Sequence, residues 1–460
     1  MSRMRTPLLA LVLFLGTSCS RSSAPAKAVG SAQPRKIEWI EDDPKRALSD
    51  ARSAKRPLFV ETWATWCHTC LSMRSFVFTD PGLLQVAERF TWLAVDADKP
   101  QNAELLAKFP VSAYPTFLVV DPALESVVAR WVGSASMDQI LAFLKDSERQ
   151  VQLAHSAELP AGDPLALLLR GYRAVQAEKH EEAATHFAAA LDAAPPGWSR
   201  RSDALIARIE ALEKSGNASA CVDFGLQAME QAGRSASAVD LAFYAMECAS
   251  KLQGGDPRLS VLRKLALPRV EEIAADGEAP LSADDRGEAL ALVMELKEQL
   301  GDKAGARAAA EKRLALLEKA AAAAPDETAR STFNWARANT YLVLEKPEEA
   351  IRMLTASEAA LPRDFNPPHQ LARVLFKLGR HDEAVAAVDR ALAKAYGPRK
   401  GTVLGLKADI LEAKGQLDLA RQVIEEQVRH YQSLPDGQKR ESAAETAIAR
   451  LKKLGAGATP

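Results

Sequence analysis

Residues 57–70 read Pro57-Leu58-Phe59-Val60-Glu61-Thr62-Trp63-Ala64-Thr65-Trp66-Cys67-His68-Thr69-Cys70. The first half is an apolar run with the look of a buried strand. The second half delivers two thiols spaced Cys-x-x-Cys, and Met73, Phe76 and Val77 continue behind them at helical spacing. A strand ending here puts Cys67 at the N-terminus of a helix, where unpaired N–H groups and the helix dipole favour a thiolate. Thiol–disulfide exchange needs that acidic sulfur to attack and a second sulfur within reach to resolve the mixed disulfide. Cys-x-x-Cys alone also fits half a zinc site or a structural bridge, so the surrounding residues decide.

The pattern over residues 36–150 predicts helix at 44–55, strand at 58–63 and helix at 67–78. A strand at 90–95, a short helix at 102–108, strands at 116–120 and 126–132 and a helix at 137–149 complete it. Asp121-Pro122 breaks the two apolar runs on either side and marks a hairpin turn. This is a compact α/β unit.

With these residues in place the segment resembles a thioredoxin domain. The resemblance implies that Cys67 attacks, Cys70 resolves and Trp66 is the tryptophan preceding them. It implies that Glu61 is the buried acid assisting proton transfer at the resolving thiol, with Glu in place of the commoner Asp. Tyr114-Pro115-Thr116 matches the loop whose cis-proline faces the dithiol and positions an extended substrate strand. Similar runs at 64–70, 78–81 and 118–121 extend the likeness to the C-terminal domain of DsbD-type thiol:disulfide interchange proteins. Cys67–Cys70 is then a redox-active disulfide.

Two alternatives fail on spacing. No second Cys/His pair lies nearby to complete a tetrahedral zinc site, and Leu71 stands where c-type haem attachment needs His. A thioredoxin fold whose dithiol is only structural stays open. His68 and Thr69 lie between the thiols, where residues tune redox poise. An imidazolium there would lower a thiolate pKa, and a solvated loop histidine is the bland reading.

At 460 residues the chain is too long for one core. A formal net charge of −1 argues against nucleic-acid binding through phosphates and against a polybasic membrane anchor. Arg3 and Arg5 before the apolar residues 8–15, then Gly16-Thr17-Ser18-Cys19, read as a signal peptide over 1–18. Cys19 after small residues resembles the lipobox of bacterial lipoproteins, with Gly16 where that family favours Leu. The resemblance implies lipidation of Cys19 and a membrane anchor; an ordinary cleaved signal is the alternative. Residues 19–35, rich in Ser, Ala and Pro, read as a flexible tether. The body of the protein is expected on the periplasmic face of a bacterial envelope membrane, where disulfides persist.

Residues 151–460 are helical and repeat. Gly171, Ala183, Phe187, Ala190 and Pro195 form one frame from Pro164. Ala338, Tyr341, Ala350, Leu354 and Pro362 form another from Ser331; Ala372, Leu375, Gly379, Ala384, Val388 and Ala391 repeat it from Phe365. A further frame starts near Gly401, with weaker ones near Ser202 and Gly287, the last departing from the pattern at Lys297. These offsets resemble tetratricopeptide repeats, which implies an all-α superhelix whose groove receives a partner protein. Cys221 and Cys248 fall on two helices joined near residues 233–237. They make either a structural disulfide or two unpaired buried cysteines. His180 and His186 are six apart, not the four a zinc-protease helix needs, and read as helix surface.

The expected fold class is therefore an α/β thioredoxin-like domain followed by an all-α tetratricopeptide superhelix. The expected function is thiol–disulfide oxidoreduction on protein substrates, with no organic cofactor and no metal. The rival expectation is a scaffold of a cell-envelope complex in which the dithiol has little or no redox role.

Overall fold

The computed structural model describes residues 36–252 and 256–456. The signal segment 1–18, Cys19 and the tether through residue 35 lie outside the described residues. Among the described residues no helix is long and apolar enough to cross a membrane.

Five strands form one mixed sheet: β1 Trp39–Glu41, β2 Leu58–Trp63, β3 Thr91–Asp96, β4 Thr116–Asp121 and β5 Ser126–Val132. Their order is β1-β3-β2-β4-β5, with β1, β3 and β2 parallel and β4 and β5 antiparallel additions. Because side chains alternate across a strand, the apolar run at 58–63 feeds both faces. Phe59 joins Trp92, Phe117, Val119 and Trp131 on one face, covered by Ile140, Phe143 and Leu144 of α4 (Met137–Ala154). Leu58 and Val60 join Leu93, Val95, Leu118 and Val120 on the other. Ala47 and Ala51 of α1 (Pro44–Ala54) and Leu106 of α3 (Ala103–Lys108) cover that face.

Two local differences from the sequence reading stand out. Trp39–Glu41 pairs with β3 as a strand; at three residues it is too short to show a period. The helix expected over 67–78 divides into α2 (His68–Ser72) and a π-helical turn Met73–Val77. The wider turn accompanies the inward reach of Arg74, described below.

The helical region stacks in pairs: α5 (Pro164–Gln176) with α6 (His180–Ala193), α7 (Arg201–Lys214) with α8 (Ala218–Ala228), and α9 (Ala236–Ser250) with α10 (Pro257–Ala275). Then come α11 (Ala283–Gln299) with α12 (Lys303–Ala323) and a short α13 (Glu327–Ser331). The series ends with α14 (Asn334–Val343) and α15 (Pro347–Ala360), α16 (Asn366–Lys377) and α17 (His381–Leu392), α18 (Gly397–Ala413) and α19 (Leu417–Ser433), and α20 (Glu441–Ala456). The frame residues do what their sizes dictate. Ala183, Phe187 and Ala190 are fully buried, and a Cβ on Gly171 would stand 2.3 Å from the Phe187 ring. The pair of α9 and α10 has no frame in the sequence, yet it packs between its neighbours like the others.

Several of these helices pack on the chain's own α/β unit. Helices α5 and α7 pack on β5, α11 and α13 pack on α2, and the 3-10 turn Asp436–Gln438 packs on α3. Tyr172 OH donates to the Arg130 carbonyl at 3.1 Å, and Arg130 Nη2 donates to Glu210 Oε1 at 3.0 Å. Near the other end Tyr396 OH donates to Asp96 Oδ2 at 2.6 Å, and Gln438 Nε2 donates to the carbonyls of Ala97 and Lys99 at 2.7 and 2.9 Å. Gly397 has φ +53°, and a Cβ there would lie 2.0 Å from the Asp98 carbonyl oxygen. Gly397→Ala is expected to cost about 1–3 kcal/mol and to open the contact between α18 and the Asp98 loop. Thermal unfolding and limited proteolysis check this; an unchanged melting temperature with unchanged cleavage would refute it.

Candidate redox site

Cys67 caps α2: its Sγ accepts from the Cys70 N–H at 3.1 Å, as a residue at a helix N-terminus does. Cys67 and Cys70 are joined as a disulfide with Cα atoms 5.2 Å apart. Cys67 is 6% exposed and Cys70 fully buried. Ala64, Trp63, Trp66 and Tyr114 pack around the two sulfurs, so the loop of β4 and the residue before the motif meet at the dithiol. The Tyr114–Pro115 peptide bond is cis. Thr116 holds the loop's curvature through its Oγ1, which donates to the Ala113 carbonyl at 2.8 Å, and the Thr116 carbonyl accepts from Thr62 Oγ1 at 2.9 Å.

Trp66 is held from the repeat side as well. Its Nε1 donates to Asp98 Oδ2 at 2.7 Å, its ring meets Tyr114 edge-on, and the Arg399 guanidinium of α18 lies 4.5 Å from the ring centroid. Asn366 Nδ2 of α16 donates to the Thr65 carbonyl at 3.0 Å.

Glu61 is fully buried on β2. Burial pushes its carboxyl up from 4.5 to about 8, against the pull of the Arg74 guanidinium; the nearby Glu41 adds to the rise. Arg74 Nη1 donates to Glu61 Oε2 at 2.9 Å and Nη2 to Glu41 Oε1 at 2.7 Å, with the guanidinium 4.2 Å from the Trp63 ring centroid. Among the described residues Glu61 Oε1 has no hydrogen-bond partner. A carboxyl with a free oxygen and an affinity for protons near neutrality suits proton transfer.

The folded chain therefore holds the Glu61 proton between pH 4.5 and about 8, while the unfolded chain releases it. The stability this contributes is complete below pH 4.5 and is lost as pH rises through 8. Glu61→Gln is expected to flatten that decline, so that the variant gains on the parent as pH rises from 5 to 9. Urea midpoints at a series of pH values measure it; parallel profiles would contradict the assignment.

His68 turns away from the sheet towards the repeats. Its Nδ1 lies 3.0 Å from both carboxylate oxygens of Asp284, the second residue of α11. Thr69 Oγ1 is 3.4 Å from the same nitrogen. The bland reading of a solvated loop histidine thus gives way to a ring held in an ion pair. Beside the motif a cleft of about 340 Å³ is lined by Thr69 and Tyr114 on the α/β side, and by Glu210, Asp240, Phe243 and Glu288 from α7, α9 and α11. Among the described residues no cluster of three His, Cys, Asp or Glu side chains could hold a metal ion.

Cys221 of α8 and Cys248 of α9 are both fully buried and joined as a disulfide, with Cα atoms 6.1 Å apart. The sequence reading missed Arg74, Asp98, Arg399 and Asp284. Arg74, four residues after Cys70 in an apolar helical stretch, was the one visible signal; the others are remote in sequence and carry none.

Residues 39–122 match the family model described as thioredoxin-like, and residues 369–393 match one described as tetratricopeptide repeat. The thiol:disulfide interchange protein DsbD of Vibrio vulnificus is 27% identical over 99 residues. That stretch is 21% of this chain and 16% of the relative, so the chain spans about one sixth of the curated protein it matches. Among solved structures, a tetratricopeptide repeat protein from Parabacteroides merdae is 14% identical, covering 64% of this chain and 98% of its own, with a TM-score of 0.41. A thermophilic tetratricopeptide protein of Thermus thermophilus is 18% identical, covering 54% and 98%, with a TM-score of 0.27.

Proposed function

Because the chain joins a thioredoxin-like domain to tetratricopeptide repeats, we propose that it is an exported thiol–disulfide oxidoreductase acting on protein thiols or disulfides. The observation that carries this reading is the meeting of Cys67, Cys70, Trp66 and the loop residue Tyr114 in one apolar cluster at the start of α2. The likeness of this segment to part of DsbD supports it.

In the reducing direction the Cys67 thiolate attacks one sulfur of a substrate disulfide. The substrate S–S bond breaks, one substrate thiolate leaves, and a mixed disulfide forms on Cys67. The Cys70 thiolate then attacks Cys67 Sγ and expels the second substrate thiolate. Two electrons pass to the substrate and the chain is left with the Cys67–Cys70 disulfide. Oxidation of a substrate dithiol runs the same steps backwards. Glu61, in its deprotonated form, takes the Cys70 proton, and Trp66, Tyr114, Pro115 and Thr116 position an extended substrate segment. No organic cofactor is needed, because the dithiol carries the electrons. The substrate approaches along the cleft that ends at Thr69 and Tyr114. The repeats recruit the protein partner and raise its concentration near the dithiol.

The Cys221–Cys248 pair is assigned a structural role. Cys19 is assigned the lipid anchor and the protein the periplasmic side of an envelope membrane; the likeness to DsbD supports this placement.

Cys70→Ser tests the reading: with the resolving thiol gone, a mixed disulfide on Cys67 should accumulate and be recovered on non-reducing gels after acid quench. If only unlinked protein is recovered, the exchange reaction is refuted. The second reading, a scaffold with an idle dithiol, is favoured by one observation, the near-complete enclosure of Cys67 and Cys70.

A further inference from the structure

We propose that Asp284, carried on repeat helix α11, is a positioning residue of the redox site. By gripping His68 between the two cysteines it makes the repeat domain a determinant of Cys67 reactivity. This rests on the oxidoreductase reading above.

The geometry is specific. Both Asp284 oxygens lie 3.0 Å from His68 Nδ1, across 216 residues of chain. The carboxylate is 1% exposed and the ring about a quarter exposed, so water screens the pair poorly. Asp284 cannot readily turn away. Ser282 caps α11 in a reciprocal box with Asp285, and the Ser282 and Ser72 hydroxyls lie 3.5 Å apart across the junction.

The charged groups facing His68 are Asp284 and Glu288 of α11 and Arg313 of α12. Arg313 is itself engaged, donating to the Gly287 carbonyl at 2.8 Å and to Glu288 Oε1 at 2.7 Å. Burial by itself would lower the affinity of the ring for its second proton. The Asp284 charge and hydrogen bond outweigh burial, with help from Glu288 and against Arg313, and raise the ring to about 9. At neutral pH the residue after Cys67 is therefore an imidazolium. A positive ring beside a thiol stabilises its thiolate, hence the reduced dithiol, and makes the pair a stronger oxidant than it would otherwise be.

The test compares the full chain with Asp284→Asn and Asp284→Glu. Three quantities are read: the equilibrium constant of the Cys67–Cys70 pair with glutathione or dithiothreitol, the Cys67 thiolate titration by ultraviolet absorbance, and the His68 titration by NMR. Asp284→Asn keeps a hydrogen-bond acceptor and removes the charge. It is expected to drop the His68 pKa below its ordinary 6.5, raise the Cys67 pKa, and shift the equilibrium about tenfold towards the disulfide, ~30 mV more reducing. Asp284→Glu, which keeps the charge, should restore most of each shift. An unchanged His68 titration in a folded Asp284→Asn chain overturns the proposal, as does an unchanged equilibrium constant beside a shifted His68. If the parent pair does not exchange at all, the oxidoreductase reading fails and the control of Cys67 reactivity fails with it; His68 titration then reports on the ion pair alone.

Discussion

Cys67→Ser is expected to lower the rate of exchange with a model protein disulfide by at least about 10³-fold, since it deletes the nucleophile of a two-thiol relay. Cys70→Ser should behave differently: the first attack survives, turnover stops, and the mixed disulfide persists. The contrast comes from the fold. Cys67 keeps a small exposed edge at the start of α2, whereas Cys70 is fully buried in the cluster with Ala64 and bonded to Cys67. Stopped-flow or gel-based exchange measures both variants. Equal, partial losses in the two would mean that neither sulfur has a distinct role. A chain with both serines that still binds its partner and fulfils its biological role would favour the scaffold.

Replacing Cys221 and Cys248 together by alanine is expected to destabilise the helical region by about 3.5 kcal/mol. The figure follows from the chain entropy released when a loop spanning a sequence separation of 27 is opened. The pair ties α8 to α9 in a stretch whose packing is otherwise supplied by small contacts, among them Gly225, where a Cβ would stand 2.4 Å from the Ala245 Cβ. Denaturant unfolding followed by far-ultraviolet circular dichroism measures the loss. A change below about 1 kcal/mol would mean that the bridge adds little to that packing. Exchange at Cys67 should survive, because none of the residues around the dithiol comes from α8.

Much of the α/β unit could be read from the sequence because its signals are local. The run at 58–63 alternates cleanly between two cores, Asp121-Pro122 marks the hairpin, and Cys67 stands where strand gives way to helix. The tetratricopeptide frames were legible for the same reason, since Gly171 needs only its own helix pair to explain it. What the sequence could not carry was the relation between the two halves. Asp284, Arg399 and Tyr396 are ordinary surface-type residues in a repeat until the α/β unit is placed against them. Their partners His68, Trp66 and Asp96 lie hundreds of positions away. The same holds for Arg74: its charge in an apolar turn was visible, but its two-carboxylate grip on Glu61 and Glu41 depends on β1, a strand too short to announce itself. Several helices of the repeats pack on the chain's own α/β unit, and Gly397 permits the close approach of α18.

The measurement that bears most directly on the central claim is the reduction potential of the Cys67–Cys70 pair in the full chain. The protein is equilibrated in thiol buffers of defined ratio, free thiols are trapped by alkylation, and the peptide carrying both cysteines is quantified by mass spectrometry. The redox account predicts reversible two-electron behaviour with a midpoint in the range of exchange catalysts, between about −270 and −120 mV. A pair that does not exchange, or one held below about −300 mV like a structural bridge, would contradict it and leave the scaffold standing.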